Sequence, residues 1–381
     1  MHPHELPVPD AAALAASATV AARIRDAIDA AGGWIGFDRY MDLALHAPGL
    51  GYYAAGARRF GAGGDFVTAP ELGPLFARTL ARQVAELFRS APPAVLELGA
   101  GSGALAEALL DELAVLGAPA ASYAILETSA ALRARQRERL GTRVQWLDAL
   151  PASFAGVVVA NEVADAIPVR AVAWTDGGLL ERGVTVAGDG FAWADRTAPA
   201  DLAAAARALE IEPPRGGRYE SEIGLAGKAW MASLAAMLSH GAILVVDYGF
   251  PRREYYHPQR HMGTLMCHYR HRAHADPFVL PGLQDITSHV DFTAMAWAAH
   301  HAGMEVLGYT SQATFLVNCG ITDLLARVGP DDPARYLPLT NQANRLLSPA
   351  EMGELFKAIA FGRGLDTPLV GFENGGRSHT L

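Results

Sequence analysis

The stretch AVLELGAGSG at residues 94–103 decides the fold of this chain. A short apolar run carries the acid Glu97 near its end, and three glycines follow at alternate positions. The leucines that come next recur at helical spacing and predict one apolar helix face: Leu105, Leu109, Leu113 and Leu116. Glycines let a backbone approach a ligand closely, and the first turn of a helix offers unpaired N–H groups. The stretch therefore predicts a strand, a tight turn and a helix that cradle a nucleotide-like cofactor.

The glycine spacing alone leaves two cofactor classes open. Gly99, Gly101 and Ala104 fit the G-x-G-x-x-G/A fingerprint of dinucleotide-binding folds, so an NAD-dependent oxidoreductase is one alternative. Glu97 favours the other class, because an acid at the strand end suits a cationic ligand and repels a pyrophosphate. The form E-x-G-x-G-x-G resembles that of class I S-adenosyl-L-methionine-dependent methyltransferases, whose cofactor is a sulfonium without phosphate. We expect Glu97, Gly99, Gly101 and Gly103 to hold this cofactor, although a purely structural turn is a third interpretation.

Composition and charge narrow the class of protein. A chain of 381 residues is long enough for one large domain with insertions or for two domains. The formal net charge of −9 argues against a nucleic-acid partner and favours small-molecule or basic protein substrates. The only two cysteines, Cys267 and Cys319, provide neither a disulfide framework nor a four-cysteine zinc site.

The N-terminal residues and the hydropathy pattern bear on location. No apolar run reaches the length that spans a bilayer, so we expect no membrane segment. The first 22 residues contain Glu5 and Asp10 and neither lysine nor arginine, which is unlike a signal peptide or an arginine-rich mitochondrial presequence. A cytoplasmic location is the resulting expectation.

Acids follow two further apolar runs after the glycine turn. YAILE at residues 123–127 predicts a second strand, and an acid at this place typically binds ribose hydroxyls, so we assign Glu127 to the cofactor. Capping of the helix that begins near Ser129 is the alternative role of Glu127. RVQWL at residues 143–147 predicts a third strand, and Asp148 behind it is assigned to the adenine amino group or to a turn.

The polar cluster NEVADAIP at residues 161–168 directly follows a fourth strand, GVVVA at residues 156–160. The unbroken apolar run is typical of a buried parallel strand. Ligands bind beyond the carboxyl ends of parallel strands, so the cluster should face the same crevice as the glycine turn. We expect the catalytic edge here, with helix capping around Asp165 and Pro168 as the structural alternative.

A loop rich in glycine and aromatic residues precedes the glycine turn and contains GDFVTAPE at residues 64–71. Such loops are costly to order and often serve as lids or binding loops. We therefore assign Thr68 and Glu71 to the cofactor site. The alternative is a surface loop that caps a helix over residues 71–89.

The rest of the chain is expected to extend this α/β core. Residues 11–31 and 200–210 read as helices, and residues 169–196 alternate around Asp-Gly turns as an antiparallel meander. A fifth strand spans residues 242–247, two strands lie within 305–318, and 321–362 is helical. The predicted division is a helical extension with the GDFVTAPE loop (1–90), a core (91–168 and 240–320), an inserted substrate-side segment (169–239) and a C-terminal helical segment (321–381).

Six histidines lie within residues 250–291: His257, His261, His268, His271, His274 and His289. This stretch has neither an H-E-x-x-H pattern nor a helix with a clear ligand face, so we expect no metal site. Its arginines, prolines and glycines predict a long folded loop near the site.

An ordered set of motifs resembles the MidA-like family of class I methyltransferases over residues 30–365: GYY (51–53), GDFVTAPE (64–71), ELGAGSGAL (97–105), NEVADAIPV (161–169), YESEIG (219–224), DYGF (247–250), QDITSHVDF (284–292) and ATFLVNCGI (313–321). The resemblance implies a Rossmann-like seven-stranded sheet with an N-terminal helical extension and an inserted antiparallel and helical segment. Mitochondrial members methylate an arginine of a respiratory complex I subunit. This chain departs from the family at Val163 and Ala164, where aromatic residues are usual.

The resemblance implies a protein partner that presents an arginine, and the acids suit such an acceptor. A guanidinium is a poor nucleophile, so carboxylates must orient it and accept a proton. We assign this role to Glu162 and Asp165, with Asn161 as a hydrogen-bond acceptor and Glu220 or Glu222 as further candidates. The prediction is a protein arginine N-methyltransferase. The alternatives are a noncatalytic cofactor-binding assembly factor and a small-molecule methyltransferase, and a homodimer is a candidate assembly.

Overall fold

The structure is a computed structural model that describes residues 6–55, 68–211, 217–365 and 368–381. Within these ranges the helices are α1 (Ala11–Ala30), α2 (Phe37–His46), α3 (Leu75–Leu87), α4 (Ala104–Val115), α5 (Ala130–Leu140), α6 (Ala200–Arg207), α7 (Leu225–Met237), α8 (Arg252–Tyr255), α9 (Phe292–His301), α10 (Gln312–Asn318), α11 (Ile321–Ala326) and α12 (Pro333–Leu347). None of these helices is long and apolar enough to cross a membrane.

The strands of the described residues are β1 (Ile35–Gly36), β2 (Ala94–Leu98), β3 (Ser122–Leu126), β4 (Gln145–Leu147), β5 (Phe154–Asn161), β6 (Arg170–Thr175), β7 (Gly178–Ala187), β8 (Gly190–Thr197), β9 (Tyr219–Ile223), β10 (Leu238–Phe250), β11 (Met266–Tyr269), β12 (Arg272–His274), β13 (Asp285–Thr287), β14 (Val290–Asp291), β15 (Glu305–Ser311) and β16 (Phe356–Arg363). They form three sheets.

The largest sheet has the strand order β15-β16-β10-β5-β2-β3-β4, and the short β14 pairs with β10. The strands from β10 to β4 are parallel, whereas β16 is antiparallel to both of its neighbours. The Rossmann-like seven-stranded sheet that the family resemblance implies is therefore confirmed.

Helices cover both faces of this sheet, which explains the unbroken apolar run of β5. Val157 and Val159 pack toward α3 and α4, whereas Val158 and Ala160 pack toward α7 and α9. A strand buried on both faces needs apolar residues at every position. The direction of the connections reverses at β2, which pairs with β3 on one side and β5 on the other, so a crevice opens at the carboxyl ends of these strands.

The second sheet joins the N-terminal region to the segment that follows β5. Its order is β1-β7-β6-β9, with β8 on β7, and all pairs are antiparallel. The predicted meander over residues 169–196 is confirmed as β6, β7 and β8. The N-terminal extension is not purely helical, because Ile35 in β1 pairs with Val184 in β7. The domain boundaries drawn from the sequence stay a prediction.

Two predictions about the C-terminal third are wrong. The supposedly helical segment contains β16, which lies between β10 and β15. Ala358 and Ala360 pack in one core layer and Ile359 and Phe361 in the other, so its continuous apolarity marks a buried strand. Residues 312–318 form α10 instead of a strand, because the Ser311 side chain caps a helix by accepting a hydrogen bond from the Thr314 amide.

The helix predicted over residues 71–89 begins later. A 3-10 helix spans Ala69–Leu72, and α3 starts only at Leu75. Gly73 separates the two with a φ of 142°, a conformation outside the helical region.

Candidate functional site

A cavity lies at the carboxyl ends of β2, β3 and β5. Residues of the glycine turn and several titratable side chains line it. Its lining residues are His46, Tyr53, Thr68, Pro70, Glu71, Glu97, Gly99, Ala100, Gly101, Ser102, Ala104, Leu105, Glu127, Thr128, Leu132, Asn161, Glu162, Val163, Asp165 and Ala166. The cavity brings together most of the residues that the sequence assigned to the cofactor and to catalysis.

The glycine turn connects β2 to α4 in a left-handed conformation. Gly99 and Gly101 have φ values of 62° and 53° and both line the cavity. A Cβ on Gly99 would lie 3.0 Å from Val163 Cγ2, whereas one on Gly101 would meet no atom within 4 Å. The open space beside Gly101 is what a ligand held against bare backbone requires. Gly103 does not line the cavity; it caps α4, and its α-carbon faces Leu140 and α5.

Glu97 is buried on β2 with its carboxyl group at the edge of the cavity. The Tyr123 hydroxyl donates a 2.7 Å hydrogen bond to Glu97 Oε2. Burial raises the pKa of Glu97 to about 8, although the Tyr123 hydrogen bond lowers it. The side chain is therefore mostly neutral at pH 7 and gains charge when a cation lies beside it.

Glu127 follows β3 and connects to the glycine turn through Gln136. Its Oε1 accepts a 2.9 Å bond from the Ser129 amide, and its Oε2 accepts a 3.1 Å bond from Gln136 Nε2. The same Gln136 nitrogen donates to the Gly101 carbonyl at 2.9 Å. Burial raises the pKa of Glu127. The alternative role is confirmed in part, because Glu127 binds the backbone at the start of α5. Ribose binding stays a prediction for this acid, which lines the cavity.

Asp148 does not line the cavity, so the structure gives no support to its assignment to the adenine amino group. Its side chain is 92% exposed and pairs with Arg133 Nη1 at 2.6 Å. Arg133 Nη2 also donates to the carbonyls of Glu127 and Leu147. The arginine on α5 thus holds the residue after β4 on the outer surface, which spacing along the chain does not reveal.

Thr68 and Glu71 lie where the GDFVTAPE motif meets the glycine turn, and both line the cavity. The Ser102 hydroxyl donates a hydrogen bond to Glu71 Oε1 and accepts one of 2.9 Å from Arg139 Nη1. Residues 64–67 of the motif lie outside the described residues. The described half of the motif therefore closes one side of the cavity.

The NEVADAIP segment turns at Glu162, which has a φ of 54° despite its side chain. Such a conformation is uncommon outside glycine and costs free energy unless the surrounding contacts maintain it. Glu162 Oε1 accepts bonds of 3.1 Å from the Ala69 amide and from Asn161 Nδ2. Burial and the nearby Asp165 raise the pKa of Glu162 to about 7. Asn161 Oδ1 is buried and has no hydrogen-bond partner among the described residues, so it is an available acceptor in the wall of the cavity.

Asp165 lines the same end of the cavity and is buried. Burial raises its pKa to about 6, and a hydrogen bond with the Tyr248 side chain lowers it. Glu162 and Asp165 therefore form an acidic end of the cavity that attracts cations.

Sequence reasoning missed three residues at this end. Asp247 at the end of β10 receives three amide bonds from residues 163–165, and His46 and Tyr53 form the wall near Asp165 and Ala166. The acid after the fifth predicted strand and the GYY motif were the available signals. The further candidates Glu220 and Glu222 lie elsewhere: Glu220 pairs with Arg182 and Arg218, and Glu222 binds Thr264.

Within the histidine-rich stretch, His289 packs against a neighbouring strand. His289 stacks on Phe250 with ring centroids 5.1 Å apart, and burial lowers its pKa to about 4. Within the part of the chain that the structure describes, no group of three or more His, Cys, Asp or Glu residues is arranged to hold a metal ion.

The sheet, the glycine turn and the acids beyond β2 and β3 define a class I S-adenosyl-L-methionine-dependent methyltransferase. A family model described as S-adenosyl-L-methionine-dependent methyltransferase matches residues 77–310. The chain belongs to the MidA-like family of these enzymes. The cradle fits the cofactor, because Gly101 leaves room for it and the neutral Glu97 can respond to its positive charge.

Solved and curated relatives agree with this family. A crystal structure of a Burkholderia thailandensis protein bound to S-adenosyl-homocysteine is 54% identical, covers 99% of this chain and 100% of its own, and superposes with a TM-score of 0.95. The "Protein arginine methyltransferase NDUFAF7, mitochondrial" of Danio rerio is 28% identical over 85% of this chain and 82% of its own. The Drosophila melanogaster homolog is also 28% identical, over 87% and 84%.

The names of the curated relatives correct one expectation. Both proteins are named as mitochondrial, which contradicts the cytoplasmic location inferred from the N-terminal residues.

Proposed function

We propose that this methyltransferase modifies an arginine side chain of a protein. The observation that carries the proposal is the pair of the partly buried Glu162 and the buried Asp165, whose carboxyl groups lie at one end of the cavity that begins at the glycine turn. A buried acidic pair is a natural partner for a planar cation, because a guanidinium donates several hydrogen bonds in a fixed fork. The named activity of the NDUFAF7 relatives supports the same acceptor.

The cofactor end would be built by the acids and glycines of β2 and β3. We assign Glu97, Gly99, Gly101 and Glu127 to the bound S-adenosyl-L-methionine, with Thr68 and Glu71 closing the cavity over it. Bound there, the cofactor supplies an electrophilic methyl group on a positively charged sulfur. Glu97 gains charge beside that cation, and Glu127 offers its carboxylate to ribose hydroxyls.

The acceptor end would orient the nucleophile. Glu162 and Asp165 pair with the guanidinium and fix its plane, and the unpaired Asn161 Oδ1 accepts a hydrogen bond from the reacting nitrogen. Entry of the cation lowers the pKa of both acids, so they are ionised when the substrate is bound. Positioning and exclusion of water then supply much of the rate, as in other direct displacements.

The test is a methylation assay on lysate from a strain that lacks the enzyme. Purified wild-type enzyme with labelled cofactor should label a protein band, and mass spectrometry should place the methyl group on arginine. Glu162→Gln should abolish the label and keep binding of S-adenosyl-homocysteine, whereas Asp148→Asn serves as an active control.

Label in a small molecule, or on a residue other than arginine, would refute the proposed acceptor. Binding of the cofactor without transfer to any lysate component would favour the noncatalytic assembly factor. The homodimer stays a prediction, which light scattering of the purified enzyme tests directly.

A further inference from the structure

His46 is the last residue of α2, and its ring lines the acceptor end of the cavity. The ring stacks on Tyr53, with centroids 5.6 Å apart and planes inclined by 16°. Tyr53 is itself held by a 2.8 Å hydrogen bond from its hydroxyl to Asp285 Oδ1. The imidazole is therefore fixed in place and orientation opposite the NEVADAIP segment.

The hydrogen bond of His46 determines which ring nitrogen carries the proton. His46 Nε2 lies 3.2 Å from the Ala166 carbonyl oxygen, which can only accept. The neutral ring thus has its proton on Nε2 and its lone pair on Nδ1. Nδ1 makes no hydrogen bond within the described residues. The atom is also not completely enclosed by the protein. It is an accessible proton acceptor.

The protonation state supports this role. Burial lowers the pKa of His46, while the Ala166 carbonyl and Asp42 of the same helix oppose the shift. Tyr53 is the titratable group stacked against the ring, and burial raises its pKa. The imidazole is therefore neutral near pH 7 and free to take a proton.

We propose that His46 Nδ1 accepts the proton that the acceptor nitrogen loses during methyl transfer. The inference rests on the proposed arginine acceptor. The nitrogen forms a bond to the methyl carbon, the bond from that carbon to sulfur breaks, and its electron pair stays on sulfur. The nitrogen then carries one proton too many, which passes to Nδ1 and from there to solvent. The product is a methylguanidinium with its original charge.

The acidic pair is less suited to this step. Glu162 and Asp165 bind the guanidinium through charge, and a carboxylate paired with a cation has a lowered proton affinity. Glu162 Oε1 already accepts two hydrogen bonds, and Asp165 is hydrogen-bonded to Tyr248. A neutral imidazole suffices as the base, because the nitrogen that has just been alkylated is strongly acidic.

The decisive experiment is chemical rescue of His46→Ala. The variant should bind S-adenosyl-homocysteine with wild-type affinity, and its kcat should fall by about 100-fold to 10,000-fold, the usual contribution of a positioned base. Added imidazole should restore activity in proportion to its concentration. His240→Ala is the matched control, because His240 Nε2 also binds a backbone carbonyl, that of Ser90 at 2.8 Å, and lies outside the cavity. It should keep the wild-type kcat.

A second variant covers the case that His46→Ala fails to fold. His46→Gln can still donate to the Ala166 carbonyl but has no basic nitrogen, so kcat should fall while the melting temperature stays within a few degrees. A wild-type kcat in either variant would overturn the role of His46, as would a low kcat that imidazole leaves unchanged in folded His46→Ala. The acceptor is identified separately on wild-type enzyme, so a non-arginine product refutes the proposed function and not the base.

Discussion

Asp247 Oδ2 lies 2.8 Å from the amide nitrogen of Ala164, and the amides of Val163 and Asp165 donate to the same oxygen at 3.1 and 3.3 Å. One buried carboxyl oxygen at the end of β10 therefore holds the whole turn after β5. The adjacent Glu162 amide bonds the Val246 carbonyl at 2.9 Å. This anchoring explains how Glu162 keeps its left-handed conformation, which costs free energy unless neighbouring contacts maintain it.

Replacing Asp247 should impair the loop after β5 and leave the cofactor site unaffected. In Asp247→Ala, three buried amides lose their partner, which should lower the free energy of unfolding by about 2 kcal/mol and reduce kcat by at least about 10-fold. Affinity for S-adenosyl-homocysteine should stay within about 2-fold, measured by calorimetry. Asp291→Ala is the matched control, because Asp291 is also an acid at a strand end with an enclosed Oδ2 but caps α9 outside this cavity. Equal loss of kcat in both variants would contradict a local role of Asp247.

Activity should rise with pH on the acidic side. Burial and the nearby Asp165 raise the pKa of Glu162 to about 7, burial raises the pKa of Asp165 to about 6, and only the ionised forms bind a cation. The plot of kcat/KM against pH should therefore show an acidic limb between pH 6 and 7 that belongs to the pair jointly. Asp165→Asn should lower the plateau and move the limb to lower pH, because the charge of Asp165 raises the pKa of Glu162. A profile that is flat from pH 5.5 to 7.5 would contradict this assignment.

Stability should fall as pH rises because of Glu97. Burial raises the pKa of Glu97 to about 8 in the folded state, so the folded protein binds a proton that the unfolded chain has released above about pH 4.5. The contribution is complete below pH 4.5 and is lost by about pH 8, with a slope near 1.4 kcal/mol per pH unit for this group in that window. Urea unfolding between pH 5 and 8.5 measures the slope.

Two variants test the source of that slope. In Glu97→Gln, unfolding should release up to one proton fewer, so the free energy of unfolding should fall less steeply with pH. This variant should be more stable than wild type above pH 8. Tyr123→Phe removes a hydrogen bond that lowers the pKa of Glu97, so it should extend the falling region to higher pH. An unchanged slope in Glu97→Gln would mean that other groups release the proton.

Cofactor affinity should depend on Glu127 and hardly on Asp148. Glu127 lines the cavity and Asp148 is exposed outside it, although each follows a strand of the same sheet. Glu127→Gln should weaken binding of S-adenosyl-homocysteine by about 10- to 100-fold, the usual effect of losing a hydrogen bond to a charged group. Asp148→Asn should change it by less than about 2-fold, since exposed ion pairs contribute little. Isothermal titration calorimetry measures the affinity of both variants for S-adenosyl-homocysteine. Equally weakened binding in the two variants would restore Asp148 as a candidate cofactor-binding residue.

The sequence predicted the strand, turn and helix around the glycine turn well, because these elements are local. In β2, the glycine turn and α4, the strand, the turn and the helix follow one another directly, so apolar spacing and glycine positions predict them. The same logic placed Glu97, Glu127 and Glu162 at strand ends that meet at one edge of a parallel sheet. Because ligands bind beyond the carboxyl ends of parallel strands, the end of each strand predicts that its acid faces a ligand.

The acceptor end depends on contacts between distant segments, and spacing along the chain could not show them. His46 lies 120 residues before the Ala166 carbonyl that it binds, and Asp247 lies 83 residues after Ala164. The strand β16 is likewise evident only from the structure, because its two faces pack in two different core layers.

By itself, the sequence determined the family, the class I sheet and the acids at the ends of β2, β3 and β5. The reason is that an apolar run that ends in a charged residue can be buried in few ways: the run lies inside the sheet, and the charge lies at its edge. Only the tertiary structure decided which of those acids face the cavity. Asp148 is held on the surface by Arg133, whereas Glu162 and Asp165 are enclosed beside His46 and Tyr53. The physical reason is that burial, and with it the pKa of each acid, is set by the segments packed around it and not by its neighbours in sequence.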